Sequence, residues 1–189
     1  DMHAHMAFGP VQMTSVNGAP AARLMFDARV GRDFARELLQ WGVTTVRNPA
    51  GPTKEAVAIR DAIRRGELPG PRIITAGEVI DQMPFEGLAA TVRSVEDVRA
   101  EVNRQADAGV DFIKLYAGLT PPLVKAGIDA AHARGLQAVG HLWLTDWKTA
   151  ADLGIDGIVH ALPLSDRQLP ESARATYMKG IAGTQAMFQ

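Results

Sequence analysis

The chain has 189 residues, 47 % of them hydrophobic, no cysteine and a mean hydropathy near zero. That is ample for one globular domain with its own core, and it excludes disulfides, thiolate metal ligands and a cysteine nucleophile. Twenty basic residues against 21 acidic ones leave a formal charge of −1, which gives no electrostatic case for a nucleic acid or an anionic membrane as partner and favours a small-molecule substrate.

The chain opens Asp1-Met2-His3-Ala4-His5. If residues 1–5 are the tail of a first strand, alternation turns both imidazoles to one face, where two nitrogen ligands can reach one metal ion. A loop over about residues 7–30 follows. Phe34 to Trp41 has helical spacing and stops at Gly42, and the β-branched run Val43-Thr44-Thr45-Val46-Arg47 is then broken by Asn48-Pro49. Glu55 to Arg65 reads as a second helix, and Pro69-Gly70-Pro71 delivers Arg72-Ile73-Ile74-Thr75-Ala76 as the next strand. A long connection spans about residues 77–93, with Met83, Phe85 and Leu88 hinting at an apolar lid.

Ser94 suits an N-cap, with Asp97 three residues later as a looser capping box, and its helix runs to Ala108 before Gly109 stops it. The strand Asp111-Phe112-Ile113-Lys114-Leu115-Tyr116 comes next. Pro121 and Pro122 suit the first turn of a helix from Leu123 to Arg134, which leads to the strand Ala138-Val139-Gly140-His141-Leu142. A short helix over 146–153 precedes Gly157-Ile158-Val159-His160-Ala161. After it, Leu162 to Asp166 reads as a loop and Pro170 to Lys179 as a helix.

Short apolar runs alternating with helical ones predict an α/β fold with a parallel sheet. In such barrels the reactive groups sit at the carboxyl ends of the strands. His3, His5, Lys114, His141 and His160 all satisfy that position and are expected to share one site. Tyr116, two residues beyond Lys114, faces the same way and is a candidate to touch the substrate. His132 lies inside a helix near its C-terminus, where an imidazolium is favoured by the dipole, and is given no metal role.

These segments together resemble the amidohydrolase superfamily of metal-dependent hydrolases, in the branch similar to imidazolonepropionase and metal-dependent dipeptidases. The likeness rests on Asp1-Met2-His3-Ala4-His5, Gly42 to Arg47, Gly70-Pro71-Arg72-Ile73, Phe112-Ile113-Lys114, Ala130 to Leu136 with Gly140-His141, and Gly157-Ile158-Val159-His160. It implies a (β/α)8 TIM-barrel-like fold and a metal-activated hydroxide that attacks an amide, cyclic amide or dipeptide carbonyl. It also implies two divalent metal ions, one bound by His3 and His5 and the other by His141 and His160, with Lys114 bridging them as a carbamate formed with carbon dioxide. A lysine ammonium would repel such ions, whereas a carbamate is an anionic two-oxygen ligand able to span metals about 3.5 to 4 Å apart. Zn²⁺ suits these ligands best, with Mn²⁺, Fe²⁺ and Co²⁺ as alternatives. In this scheme Lys114, His141, His160 and Tyr116 carry the catalytic roles.

One departure stands out. Members of the family carry an aspartate at the end of the eighth strand, and nothing after His160 reads as two further βα units. Asp152, Asp156 and Asp166 end no predicted strand, so the role is transferred to none of them. The expectation is a single, incomplete barrel domain over 1–189 with about six of the eight units. Its exposed strand edges call for the missing C-terminal part of the barrel or a homo-oligomer as partner, and the piece alone is expected to be inactive. No apolar run approaches the roughly 18 to 20 residues that cross a bilayer, so no membrane is implied. No signal-peptide pattern precedes Asp1, but the chain does not begin with methionine; a cytoplasmic location is favoured, with secretion or the periplasm left open. Two other readings stay open: a metal-free phosphate-binding barrel, and a catalytically incomplete metal-binding module acting through interactions.

Overall fold

The computed structural model describes residues 1–6, 8–16, 19–160 and 169–186. Its elements in chain order are β1 (Phe8–Val16), β2 (Ala19–Phe26), α1 (Ala28–Gln40), β3 (Thr45–Asn48), α2 (Thr53–Arg64), β4 (Arg72–Thr75), β5 (Val79–Asp81), β6 (Ala89–Thr91), α3 (Val95–Asp107), β7 (Phe112–Leu115), α4 (Pro121–Ala133), β8 (Gln137–Gly140), α5 (Trp147–Asp152), β9 (Gly157–Ile158) and α6 (Glu171–Ala186). No helix among the described residues is long and apolar enough to cross a membrane.

The parallel strands fall into two sheets. β3 pairs with β4, and a five-stranded sheet runs in the order β6-β5-β7-β8-β9. The two are stitched at the start of β7. The Asp111 N–H donates to the Thr75 carbonyl at 2.8 Å and the Asp111 carboxylate accepts the Thr75 N–H at 2.8 Å. Arg60 is buried behind that joint, donating to Asp111 at 2.9 Å and to the Gly109 carbonyl at 2.7 Å. A buried cation persists only when it is paired in this way. This is a mixed α/β fold with parallel sheets; no closed barrel is formed among the described residues.

Period two on β7 sorts its side chains. Ile113 and Leu115 enter the main core with Val98, Val102, Val124 and Ile128 of the covering helices α3 and α4. Phe112 turns the other way, packing with Val139, Val159 and Ile74. Lys114 shares that inner side. Burying one such apolar side chain contributes about 1.5 to 3 kcal/mol, so a one-residue slip of β7 would cost several of these contacts at once.

Helix signals were the most legible. Ser94 and Asp97 form a reciprocal capping box, with the Asp97 N–H donating to Ser94 Oγ at 3.1 Å and Asp97 Oδ2 accepting the Ser94 N–H at 2.9 Å. Pro121 and Pro122 open α4 as expected. α1 begins six residues before Phe34, because Asp27 caps it by accepting the Arg29 N–H at 2.8 Å. α6 runs past Lys179 to Ala186.

Three expectations are corrected. The described residues of the stretch 7–30 are not a loop: β1 and β2 pair antiparallel, followed by the start of α1. The connection 77–93 contains β5 and β6, which join the main sheet. Residues 1–5 form no strand of their own, although the Arg47 N–H donates to the Asp1 carbonyl and the Ala4 N–H to the Arg47 carbonyl, each at 3.0 Å. The segment therefore lies along β3 as a strand would. The loop expected at Leu162 to Asp166 lies outside the described residues.

Candidate active site

Four imidazoles and one amine surround a cavity of about 170 Å³ at the carboxyl ends of the parallel strands. His3 and His5 arrive on the opening segment. The Met6 N–H donates to the buried Asn48 Oδ1 at 3.1 Å, and Asn48 Nδ2 donates to Thr75 Oγ1 at 2.9 Å, which pins this segment to the ends of β3 and β4. His141 directly follows β8, and its N–H donates to the Leu115 carbonyl at 3.0 Å. His160 stands two residues beyond β9 with φ of 70°, a left-handed backbone rare for a residue with a Cβ and concentrated at functional sites.

The rings are close neighbours. Their centroids lie 4.4 Å apart for His3 and His160, 4.6 Å for His141 and His160, and 4.9 Å for His3 and His5. Tyr116 meets His141 edge to face at 4.9 Å, and Phe8 stacks on His5 at 4.6 Å. Lys114 projects into this group from β7. It is 2 % exposed, and its Nζ has no hydrogen-bond partner among the described residues.

Electrostatics follow from crowding and burial. Burial, then the Arg47 guanidinium, lowers the Lys114 amine from 10.5 to about 7. Arg47 itself lies over the Phe112 ring at 5.8 Å, on the inner floor beneath the site. Burial followed by Lys114 and the neighbouring imidazoles lowers His3 to about 4, and burial followed by His160 and Lys114 lowers His141 to about 4. His5 and His160 are also lowered, chiefly by burial, with the Ala50 carbonyl opposing the shift at His5. Tyr116 is raised by burial and by the charge of Asp81. At neutral pH the site thus holds four uncharged imidazoles and a protonated phenol.

All of His3, His5, Lys114, Tyr116, His141 and His160 line this one cavity. His132 lies apart, bonding Asp156 Oδ2 at 2.8 Å. Asp156 also accepts the Ala138 N–H at 2.7 Å, which accounts for it structurally; Asp152 pairs with Lys148 at 2.6 Å, and Asp166 is outside the described residues. Among the described residues no three His, Asp or Glu side chains are arranged to hold a metal ion as they stand. The donor set nonetheless suits one: neutral imidazoles offer lone pairs, and a buried amine without a partner is a group awaiting one.

Phe8, Pro49, Ala50, Val79 and Leu88 form the apolar part of the wall. Leu88 was expected as a lid residue. Phe8 and Val79 join it because β1 and β5 are strands that run past the cavity. Asn17-Gly18 between two extended runs is the signal that would have found the pairing of β1 with β2.

The fold is a mixed α/β one with parallel sheets, and its strand ends bring four imidazoles and a buried amine to one cavity. The sequence profile of the amidohydrolase family matches residues 1–182, and the chain belongs to that family. No curated protein matches the chain in sequence. Among solved structures, the chain is similar to a Xaa-Pro dipeptidase with bound methionine in its active site (22 % identity, TM-score 0.66, covering 96 % of this chain and 50 % of that one). It is also similar to a Bifidobacterium longum protein assigned as a prolidase (27 % identity, TM-score 0.59, 69 % of this chain and 36 % of that one). A third is phenylurea hydrolase B (22 % identity, TM-score 0.61, 71 % and 40 %). The chain spans half or less of the length of each of these structures.

Proposed function

We propose that this chain carries the site of a metal-dependent hydrolase that cleaves an amide or another C–N bond. His3 and His5 would hold one divalent ion, His141 and His160 a second, and Lys114, as a carbamate, would stand between them. The observation that carries this reading is Lys114, a buried and unpartnered amine among four neutral imidazoles. A neutral amine in such a place is a nucleophile. Its lone pair bonds to the carbon of CO₂ as one C–O π bond opens, and one proton passes from the nitrogen to water, so the neutral amine becomes an anionic two-oxygen carbamate.

Bound divalent ions, of which Zn²⁺ best suits these donors, supply Lewis acidity toward a carbonyl and a water. The chain's own residues do the rest. The imidazoles present nitrogen lone pairs without first having to lose protons. Phe8, Pro49, Ala50, Val79 and Leu88 exclude water and seat the apolar flanks of a small substrate. Tyr116, with its hydroxyl protonated, donates a hydrogen bond to the oxygen on which charge develops. Family membership and the C–N bonds named in the dipeptidase and phenylurea hydrolase support this substrate class. The greater length of those relatives supports reading these strands as about six of the eight units of a barrel.

The test is to load the natural full chain with Zn²⁺ in the presence and absence of ¹³C-bicarbonate, follow the carbamate carbon by NMR, and assay Xaa-Pro dipeptides, N-acyl amino acids and phenylureas. Bicarbonate-dependent metal uptake and a carbamate signal lost in Lys114→Met are expected, with turnover of at least one substrate class. Metal uptake indifferent both to bicarbonate and to Lys114 would overturn the reading.

A further inference from the structure

Asp81 is a buried carboxylate that the chemistry above does not use. It ends β5 and is 1 % exposed. Its Oδ1 accepts the N–H of Gln82 at 2.7 Å and the N–H of Gly118 at 2.8 Å, and the Met83 amide also bonds the carboxylate. A Cβ at position 118 would lie 2.7 Å from Asp81 Oδ1, so the approach requires glycine there.

Position 118 belongs to the turn that leaves the Lys114 strand. The Tyr116 N–H donates to the Ile80 carbonyl at 2.9 Å, next to Asp81. On its far side the turn is tied to the segment after His141: the Trp143 and Leu144 N–H groups donate to the Ala117 carbonyl at 3.1 Å, and Thr145 Oγ1 donates to the Leu119 carbonyl at 2.8 Å. The same β5 strand puts Val79 into the cavity wall. The turn that carries Tyr116 is therefore clamped between two site-forming segments, with the Asp81 carboxylate as the side-chain clasp on the β5 side. Taking a carboxyl group out of water is costly unless hydrogen bonds compensate; two of the three come from Gln82 and Met83, which follow Asp81 in the chain, and the third, from Gly118, crosses to the turn. Asp81 charge also reaches the Tyr116 phenol, whose pKa it helps to raise.

We propose that Asp81 is a positioning residue that locks the turn over residues 116–119 and so aims the Tyr116 hydroxyl at the reacting carbonyl, an inference that rests on the hydrolase reading above. Asp81 touches no substrate in this scheme; it acts through Tyr116.

The experiment is a double-mutant cycle in the natural full chain loaded with Zn²⁺ and bicarbonate. Tyr116→Phe should lower kcat on the order of 10²-fold, the usual cost of one oxyanion donor. Asp81→Ala should lower kcat roughly tenfold with KM little changed, since the lost interaction belongs to the transition state. Asp81→Asn keeps an oxygen for the Gln82 and Gly118 amides and should restore most of the rate. In the double variant Asp81→Ala should add nothing to Tyr116→Phe, because once the hydroxyl is gone its aim no longer matters. Two readouts separate the failures. Amide hydrogen exchange at Gly118 should quicken in Asp81→Ala, and binding of a phosphonate mimic of the tetrahedral intermediate should weaken in the same non-additive pattern. Additive losses, a rate unrecovered in Asp81→Asn, or unchanged exchange at Gly118 would each overturn the role of Asp81. A native chain that neither hydrolyses amides nor binds the phosphonate would instead remove the hydrolase reading, leaving the clasp itself to be decided by the exchange at Gly118.

Discussion

His3 and His5 bring their Nε2 atoms to within 3.1 Å of each other. Two neutral imidazoles can share one proton there, with one ring donating and the other accepting, whereas two imidazolium rings would set two donors face to face. The arrangement therefore favours uncharged rings, in agreement with the lowered pKa values of both.

That preference predicts a pH dependence of the apo protein. Burial holds His3 and His141 at about 4 in the folded chain against 6.5 for a free imidazole, so the unfolded chain binds more protons between those limits. Stability must then rise with pH across this window and be lost as pH falls from about 6.5 toward 4. Thermal unfolding of the metal-free protein should show a midpoint that drops on acidification, and His141→Asn should flatten the slope. An equal slope in wild type and variant would show that these rings do not titrate as the geometry requires.

Lys114 should oppose stability to the extent that it serves the site. Its folded pKa of about 7 lies below 10.5, so its contribution is present at high pH and lost as pH falls through that range; at neutral pH and below, charging a buried amine costs free energy. Lys114→Met fills the same volume without a polar atom. It should stabilise the metal-free protein by about 1 to 3 kcal/mol at pH 7, the cost of a buried unsatisfied group, while abolishing bicarbonate-dependent metal binding. Chemical denaturation at pH 7 checks the first expectation and metal analysis the second. A destabilised variant would mean that the amine has a partner in the folded chain.

The convergence of these residues on one cavity was legible because polar residues break the local apolar pattern: Lys114 inside Phe112 to Leu115 and His141 directly after Gln137–Gly140 stand out at strand positions. Ser94 with Asp97, and Pro121 with Pro122, carry their helix starts in a few residues. Less could be read where pairing is decided at a distance. Val79 to Asp81 is too short for periodicity to separate from a loop, and it becomes a strand by bonding to β6 and β7. Asp81 was invisible for the same reason, since its partner Gly118 is 37 residues away.

His132 supplies a control for the histidine cluster. It bonds Asp156 at a part-exposed position, and pairs of that kind contribute about 0 to 1 kcal/mol. His132→Ala should therefore leave metal stoichiometry and turnover unchanged and move the unfolding free energy by no more than that amount. A loss of metal in His132→Ala would detach metal binding from the cavity lined by His3, His5, His141 and His160.

Asp81 offers the sharpest separation of stability from positioning. Burial, opposed by three backbone N–H groups, raises its carboxyl from 3.8 to about 6. A raised acid pKa means that the folded chain binds the extra proton between those values, so the contribution to stability is full below about 3.8 and is lost as pH rises through 6. Above pH 7 the buried charge is a net cost of the order of 2 to 3 kcal/mol. Asp81→Asn removes the charge while an amide oxygen can still accept from Gln82 and Gly118. The variant should be more stable than the native chain at pH 8, with the difference shrinking toward pH 4. Unfolding curves at the two pH values measure this directly. A constant difference across that range would mean that the carboxylate keeps its charge at little cost, placing it nearer to water than its burial between β5 and the turn after β7 allows.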